Sequence, residues 1–168
     1  MPNMRARTAI QSIFGKRNEA RSGVILVVLR ILLGLQFVYA GASKLLSGWT
    51  AEGYLSAATG PFAGFFQGMA ESALISTLNE VGLLLIGLAL VIGLLVRPAS
   101  FFGAVLMLLY YFAHFEQNTM HGYIEYHIIY IVVFALFMSG GFGHAFGVDG
   151  IIYNGIQGKR MWKELLFG

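Results

Sequence analysis

Four apolar stretches divide the chain, and polar or basic residues bound each of them. The stretches run over about residues 24–46, 78–96, 99–115 and 123–138. A membrane-spanning helix needs about 20 largely apolar residues, with roughly 17–25 typical, and the last two stretches lie at the short end of this range. The pattern predicts an all-α integral membrane protein, built as an antiparallel bundle of four transmembrane helices.

The connections between these stretches differ in length and composition. Arg97 and Pro98 follow the second stretch, and we expect the helix to end there because proline disfavours helical geometry in the residue before it. A turn this short makes helices two and three antiparallel neighbours. The loop 47–77 between helices one and two is rich in aromatic residues and glycine. We expect it to lie outside, as one or two short interfacial helices broken at Gly60-Pro61.

Basic residues are concentrated on one side of this arrangement. Nine of them precede the first stretch, separate the second from the third, or follow the fourth: Arg5, Arg7, Lys16, Arg17, Arg21, Arg97, Lys159, Arg160 and Lys163. On the opposite side lies only Lys44. The positive-inside rule then predicts four spans in the plasma membrane with both termini in the cytoplasm. This divides the chain into a basic cytoplasmic segment (1–23), a transmembrane domain (24–143) and a cytoplasmic tail (144–168).

The composition agrees with a membrane protein and narrows its chemistry. Hydrophobic residues make up 57% of the chain and charged residues 11%, whereas soluble domains carry about 25% charged residues. Lipid is therefore the expected surrounding, and nucleic acid is not an expected partner. Cysteine is absent, which excludes disulfides, iron–sulfur clusters held by thiolates and cysteine-based zinc sites. Any redox chemistry must run through a bound cofactor, a metal or a partner subunit.

Ionisable side chains gather at the outer ends of the predicted helices. They are Lys44, Glu80, His114, Glu116, His121, Glu125 and His127. Such groups are costly in lipid and usually mark a site, a proton path or a buried ion pair. Histidine titrates near neutral pH, and a nearby carboxylate favours its charged form, so we favour a proton-handling cluster. A bound metal is less favoured, because no spacing here matches a ligand motif such as HExxH.

Helical spacing predicts which groups of helix one face the bundle. Arg30, Gly34, Phe37, Gly41 and Lys44 share one face, and its glycines allow close approach of another helix. Arg30 then either forms a buried structural pair or snorkels to the cytoplasmic interface. Lys44 lies near the outer water, where it is either a site residue or a solvated helix end.

The acidic residues have structural alternatives as well. Glu80 opens helix two, where the helix dipole alone favours an acid. Glu125 is two residues from His127, or about 200° around a regular helix, so the two side chains should not point into the same site. His121 and Glu125 are four residues apart and share a face if the fourth helix starts early.

Aromatic side chains on helices three and four suit a flat apolar ligand. Tyr110 shares a face with His114, and Tyr130 shares one with His127. A quinone arrives from lipid, and a histidine or tyrosine can hydrogen-bond its carbonyl groups. Apolar walls with a few convergent polar groups are the usual form of a small-molecule site. Simple packing of these aromatic faces is the alternative.

Several short motifs resemble the DoxX/DoxD family, and the DoxD branch in particular. They lie at 30–34, 37–45, 60–65, 80–93 and 139–143, followed by Val148-Asp149. The resemblance implies a four-helix membrane subunit of a quinone-coupled oxidoreductase, closest to the DoxD-like subunit of thiosulfate:quinone oxidoreductase. That enzyme oxidises thiosulfate to tetrathionate, passes the electrons to membrane quinone and has a second protein subunit. A non-catalytic accessory or assembly subunit of a larger membrane complex is the alternative.

The resemblance also suggests roles for the polar residues. A catalytic set comprises Glu80, His114, Glu125 and His127, and a substrate- and quinone-binding set comprises Arg30, Lys44, Tyr110 and Tyr130. Quinone would enter near the two tyrosines, with His127 or His114 bonding its carbonyl. Glu80 would pair with Lys44 or transfer protons. One lysine among several carboxylates is a poor trap for a doubly charged anion, so a partner that handles sulfur fits the charges better.

Overall fold

The computed structural model describes residues 4–140 and 147–155, and these ranges contain seven α-helices and one 3-10 helix. The elements are α1 (Met4–Ser47), α2 (Glu52–Ser56), α3 (Ala63–Gln67), α4 (Ala73–Ile92), α5 (Val96–Ala113), the 3-10 helix (Phe115–His121), α6 (Tyr126–Ser139) and α7 (Val148–Gly155). No strand occurs within the described ranges, so the predicted all-helical architecture is confirmed there.

Three helices of the described chain are long and apolar enough to cross a membrane. They are the Ser22–Ser47 part of α1, and α4 and α5 in full. Helix α6 is also apolar, but its 14 residues are fewer than a typical span. At 1.5 Å per residue it covers only about 21 Å, against a hydrocarbon core of about 30 Å. The membrane class is thus supported, while a crossing by α6 stays a prediction.

The connection between α4 and α5 lies earlier in the chain than expected. Helix α4 ends at Ile92, and Gly93 adopts a left-handed conformation (φ 72°) directly after it. Helix α5 begins at Val96, so Arg97 and Pro98 lie in its first turn. The prediction that Arg97-Pro98 ends the second helix was wrong. A left-handed glycine ends a helix abruptly, whereas a proline in the first turn removes no N–H that the helix needs.

Glycines bring α1 and α4 into backbone contact. A Cβ atom on Gly87 would lie 2.4 Å from the Val38 backbone nitrogen and 2.7 Å from the Gly34 carbonyl oxygen. A Cβ atom on Gly41 would lie 2.6 Å from the Leu84 backbone nitrogen. No side chain fits at these positions, so small residues are required for this close packing. The glycine face of α1 therefore points inward, as its spacing predicted.

An apolar core joins α1, α4, α5 and α6. Its buried side chains are Leu33, Phe37, Leu83, Ile86, Leu90, Val96, Met107, Phe134 and Phe137. The rings of Phe37 and Phe134 meet edge to face at 5.3 Å. A Cβ atom on Gly103 would lie 2.4 Å from the ring of Phe134. This glycine allows α5 and α6 to approach closely around the phenylalanine.

Helices α2 and α3 lie at the end of the molecule that contains Lys44, which we call the Lys44 end; the opposite end is the Arg30 end. Apolar side chains in and next to these helices form a second small core with the end of α5: Ala51, Leu55, Ala58, Phe66, Ala70 and Ala113. The backbone N–H of Thr59 donates to the carbonyl oxygen of Ala113 at 2.8 Å. This bond and this core hold the two short helices against α5.

Candidate functional site

Of the eight side chains predicted to form a site, Arg30 lies apart from the others. It is fully buried (0% exposed) and interacts electrostatically with Asp149, which is 1% exposed. The Asp149 carboxylate also accepts hydrogen bonds from the backbone N–H groups of Leu95 (2.7 Å) and Val96 (3.0 Å). Of the two alternatives for Arg30, its complete burial near an opposite charge favours the buried pair over snorkelling. Lys44 is about 21 Å away along α1 at 1.5 Å per residue.

Four other predicted residues line a single cavity of about 250 Å³ near the Lys44 end, which we call the central cavity. Lys44, Tyr110, His127 and Tyr130 are part of its wall. The remaining lining residues are Gln36, Phe37, Ala40, Tyr54, Leu83, Met107 and Tyr126. Aromatic and aliphatic walls with a few convergent polar groups are the general form of a small-molecule site.

Glu125 and His127 come together because α6 begins later than expected. Glu125 precedes the helix in an extended conformation (φ −117°, ψ 163°), and its carboxylate accepts the backbone N–H of His127 at 3.1 Å. The same carboxylate forms a short hydrogen bond with His127 Nδ1. The expectation that the two side chains point apart was wrong, since it placed both within a regular helix. With Nδ1 engaged, Nε2 is the ring nitrogen that can bond a ligand.

The early start of the fourth helix that would align His121 with Glu125 is also not found. The chain there forms a 3-10 helix that ends at His121, and Tyr123 follows with a positive φ of 65°. Helix α6 begins only at Tyr126. The side chain of His121 lies outside the part of the chain whose side chains the structure describes.

Lys44 lies at the cavity against an aromatic ring and within the electrostatic reach of a carboxylate. Its Nζ lies 3.2 Å from the centre of the Trp49 ring and 5.8 Å from that of Tyr110, within the range of cation–π attraction. Glu80 is 9% exposed and interacts electrostatically with Lys44. Helix α4 begins at Ala73, so Glu80 lies well inside it. The helix-dipole explanation for Glu80 therefore fails, because that effect falls off within the first turn.

Tyr110 is fixed in position at the cavity wall. Its hydroxyl hydrogen-bonds with the side-chain amide of Asn79, at 2.6 Å from Nδ2 and 2.8 Å from Oδ1. Its ring centre lies 5.4 Å from that of Tyr54 and 5.6 Å from that of His127. Burial raises the pKa of the Tyr54 phenol well above its usual range. Tyr54 therefore stays neutral at physiological pH and acts as an aromatic wall with one polar group.

His114 lies beside the central cavity and does not line it. Its ring centre is 4.2 Å from that of Tyr54, and it is close enough to His127 to interact electrostatically. Both of its ring nitrogens are buried without a hydrogen-bond partner among the described residues. The geometry thus favours His127 over His114 for contact with a ligand. Within the described ranges, no three His, Asp or Glu side chains are close enough to hold one metal ion.

Gln36 is a cavity residue that the sequence analysis missed. Its side-chain amide donates a hydrogen bond to the Tyr130 hydroxyl, across the seam between α1 and α6. Gln36 is exposed, and its position in the middle of an apolar stretch was the available signal, since polar groups at this depth are rare and costly. Tyr54 and Asn79 were also missed, because spacing alone does not show where α2 and the first turns of α4 lie relative to α5.

The family comparison agrees with the sequence resemblance at the level of the family. The family model DoxX matches residues 25–115, more than half of the 168 residues. Comparisons with curated proteins and with solved structures give no match. The matched range includes Lys44, Glu80 and Tyr110, and it ends before Glu125 and His127. With three helices able to span a membrane in the described chain, this protein belongs to the DoxX family of membrane proteins.

Proposed function

We propose that this protein is the membrane subunit of a quinone-coupled oxidoreductase, and that the central cavity binds the quinone head group. The observation that carries the proposal is the convergence of Lys44, His127 and Tyr130 on one aromatic cavity. Its volume of about 250 Å³ is close to the lower limit of ligand pockets, roughly 300–1,000 Å³. This size suits a quinone ring and not a whole isoprenoid quinone.

The polar groups of the cavity suit delivery of protons and stabilisation of negative charge. A bound quinone supplies a two-electron acceptor that takes up two protons at its carbonyl oxygens. His127 can donate a proton from Nε2 while the Glu125 carboxylate on Nδ1 orients the ring and stabilises its charged form. The Lys44 ammonium can stabilise negative charge that develops at a nearby oxygen. The Tyr130 hydroxyl accepts from Gln36, so its O–H can donate to a carbonyl oxygen of the ligand.

The electrons come from a donor that a second subunit handles. The resemblance implies thiosulfate, two molecules of which lose two electrons and join as tetrathionate. Lys44 is already engaged by the Trp49 ring and the charge of Glu80. A single lysine in this setting is a weak trap for a doubly charged anion. We therefore place quinone reduction on this chain and the sulfur chemistry on its partner.

We further propose that α6 is the fourth span of a transmembrane bundle in the plasma membrane, with both termini in the cytoplasm. The Asp149 carboxylate accepts N–H groups at the start of α5, whereas α6 begins after the chain has passed the end of α5. Helix α6 therefore carries the chain back to the Arg30 end. The basic segments flank this end in the sequence, which favours a cytoplasmic location for it. Under this topology the central cavity lies close to the outer surface.

Quinone binding to the purified protein in lipid nanodiscs tests the proposal. His127→Phe removes Nε2 but keeps an aromatic ring, and Glu125 retains its bond to the backbone N–H of residue 127. We expect affinity to fall about tenfold, which corresponds to about 1.4 kcal/mol for a lost hydrogen bond. The melting temperature should stay near that of the wild type. Tyr39→Phe is the control, because Tyr39 is 77% exposed and does not line the central cavity.

The outcomes separate the candidate functions. Equal affinity in the wild type and His127→Phe contradicts the placement of the head group beside His127. Quinone binding without reduction on addition of thiosulfate assigns the sulfur chemistry to a partner subunit. A wild-type protein that neither retains nor binds quinone contradicts the proposal and favours an accessory or assembly subunit.

A further inference from the structure

A second cavity lies beneath α2 and α3, next to the central cavity. It encloses about 290 Å³, and we call it the lid chamber. We call the segment 49–72, which contains α2 and α3, the lid. Side chains of the lid and of the membrane helices form the wall of the chamber, among them Leu55, Phe66, Met69, Leu78, Leu106 and Leu109. The Asn79 amide is also part of the wall, but it is bonded to the Tyr110 hydroxyl. The lid chamber is therefore suited to hydrocarbon.

Two aromatic residues are common to both cavities. Tyr54 and Tyr110 line the central cavity and the lid chamber alike, and their ring centres are 5.4 Å apart. The two rings meet edge to face and separate the cavities, so a ligand that spans both would have to part them. Such a ligand would present one part to Lys44 and His127 and another part to aliphatic walls. The two cavities thus match the two chemical parts of a quinone, a polar ring and an apolar chain.

The mouth of the lid chamber faces the surface that lipid would cover. Leu78 and Leu109 line the chamber, belong to helices able to span a membrane, and are 59% and 44% exposed. By contrast, the seam between α1 and α6 is crossed by the hydrogen bond from Gln36 to Tyr130. An apolar chain that left the central cavity through this seam would have to displace a polar contact. Leaving through the lid chamber parts the aromatic contact between Tyr54 and Tyr110 but displaces no polar contact at the mouth.

We infer that the lid chamber holds the isoprenoid chain of the quinone, and that the contact between Tyr54 and Tyr110 opens where the chain meets the head group. This inference rests on the proposed function, because it takes the head group to be in the central cavity. The chain gains close dispersion contacts with the lid. Helices α2 and α3 then determine which quinone binds by the fit of the first part of its chain.

Photo-crosslinking shows where the chain lies. A quinone that carries a diazirine on its first isoprene unit is bound to the full-length protein in nanodiscs, irradiated, and the modified peptides are identified by mass spectrometry. We expect modification of the lid and of the second half of α5. An excess of unmodified quinone should abolish this modification.

A pair of neighbouring substitutions provides the matched control. Leu109→Trp fills the mouth of the chamber, whereas Leu108, with 43% exposure against 44% for Leu109, lines neither cavity. We expect Leu109→Trp to lower modification of the lid about tenfold, because overfilling a packed site is costly, and Leu108→Trp to leave it unchanged. Both variants should bind a head-group quinone without an isoprenoid chain as the wild type does.

The outcomes separate this inference from the proposed function. Modification confined to the α1–α6 seam overturns the placement of the chain and leaves the head-group site intact. Modification of the lid that persists under excess quinone also overturns it, since the chamber then holds another hydrocarbon. If the wild type binds no head-group quinone, the proposed function and this inference both fail.

Discussion

At the scale of residues, Asp149 connects three groups from two distant parts of the sequence. Its carboxylate accepts the N–H groups of Leu95 and Val96 and interacts electrostatically with the buried guanidinium of Arg30. Asp149→Ala removes a partner from all three in a buried place. We expect the free energy of unfolding to fall by about 3 kcal/mol, because two N–H groups lose their acceptor and a buried positive charge loses a nearby negative one. Denaturant titration in detergent, followed by circular dichroism, measures this change.

Glu52→Ala is the control for this substitution, because Glu52 is an exposed acid in α2 and surface changes usually stay within about 0.5 kcal/mol. Quinone affinity of the folded Asp149→Ala protein should equal that of the wild type, because the central cavity lies near the other end of α1. A loss of stability no larger than that of Glu52→Ala would show that the pair with Arg30 contributes little.

Helical spacing was sufficient to place Tyr110 on the inward-facing side of α5 and His127 on the inward-facing side of α6. It could not predict the contact of Glu125 with His127, because that contact depends on the residue at which α6 begins. The negative charge near Arg30 could not be predicted from spacing either, since Asp149 belongs to a distant part of the chain. Periodicity locates a face of one helix, whereas a site also depends on helix ends and on long-range packing.

At the scale of elements, the close packing of α1 and α4 depends on glycines. A Cβ atom on Gly87 would meet the backbone of Val38 at 2.4 Å, whereas a Cβ atom on Gly82, in the same helix, would meet nothing within 4 Å. Gly87→Ala should therefore destabilise the protein by about 1–3 kcal/mol through overpacking. Gly82→Ala should be neutral or stabilising by up to about 1 kcal/mol, because alanine favours the helix.

Unfolding of the two alanine variants under identical conditions provides the comparison. Equal stability of Gly87→Ala and Gly82→Ala would mean that α1 and α4 can separate without cost, which would contradict the backbone contact.

Only part of the helix arrangement could be predicted from the sequence. Long apolar helices and a glycine face follow from composition and spacing. The end of α4 at Gly93 could not be predicted in this way. Glycine and proline can each end a helix, and the sequence does not show that α4 ends at Gly93 and not at Pro98.

At the scale of the whole molecule, the number of membrane crossings decides where the central cavity faces. The contacts of Asp149 place the chain after α6 at the start of α5, as the proposed crossing by α6 would. Its 14 residues are short for a span, and a short apolar helix crosses where the bilayer thins or polar flanking residues reach the interface. With α4, α5 and α6 all crossing, we predict that Glu71 and Ile151 lie on opposite sides of the membrane.

The absence of cysteine from the chain makes this prediction directly testable. Glu71 and Ile151 are both exposed, so each can be replaced by cysteine without disturbing a packed core. In intact cells, a membrane-impermeant maleimide should label Glu71→Cys and should label Ile151→Cys only after permeabilisation. Equal labelling of both in solubilised protein is the control. Labelling of both in intact cells would mean an even number of crossings between them, which contradicts a crossing by α6, and the reverse pattern would place the central cavity on the cytoplasmic side.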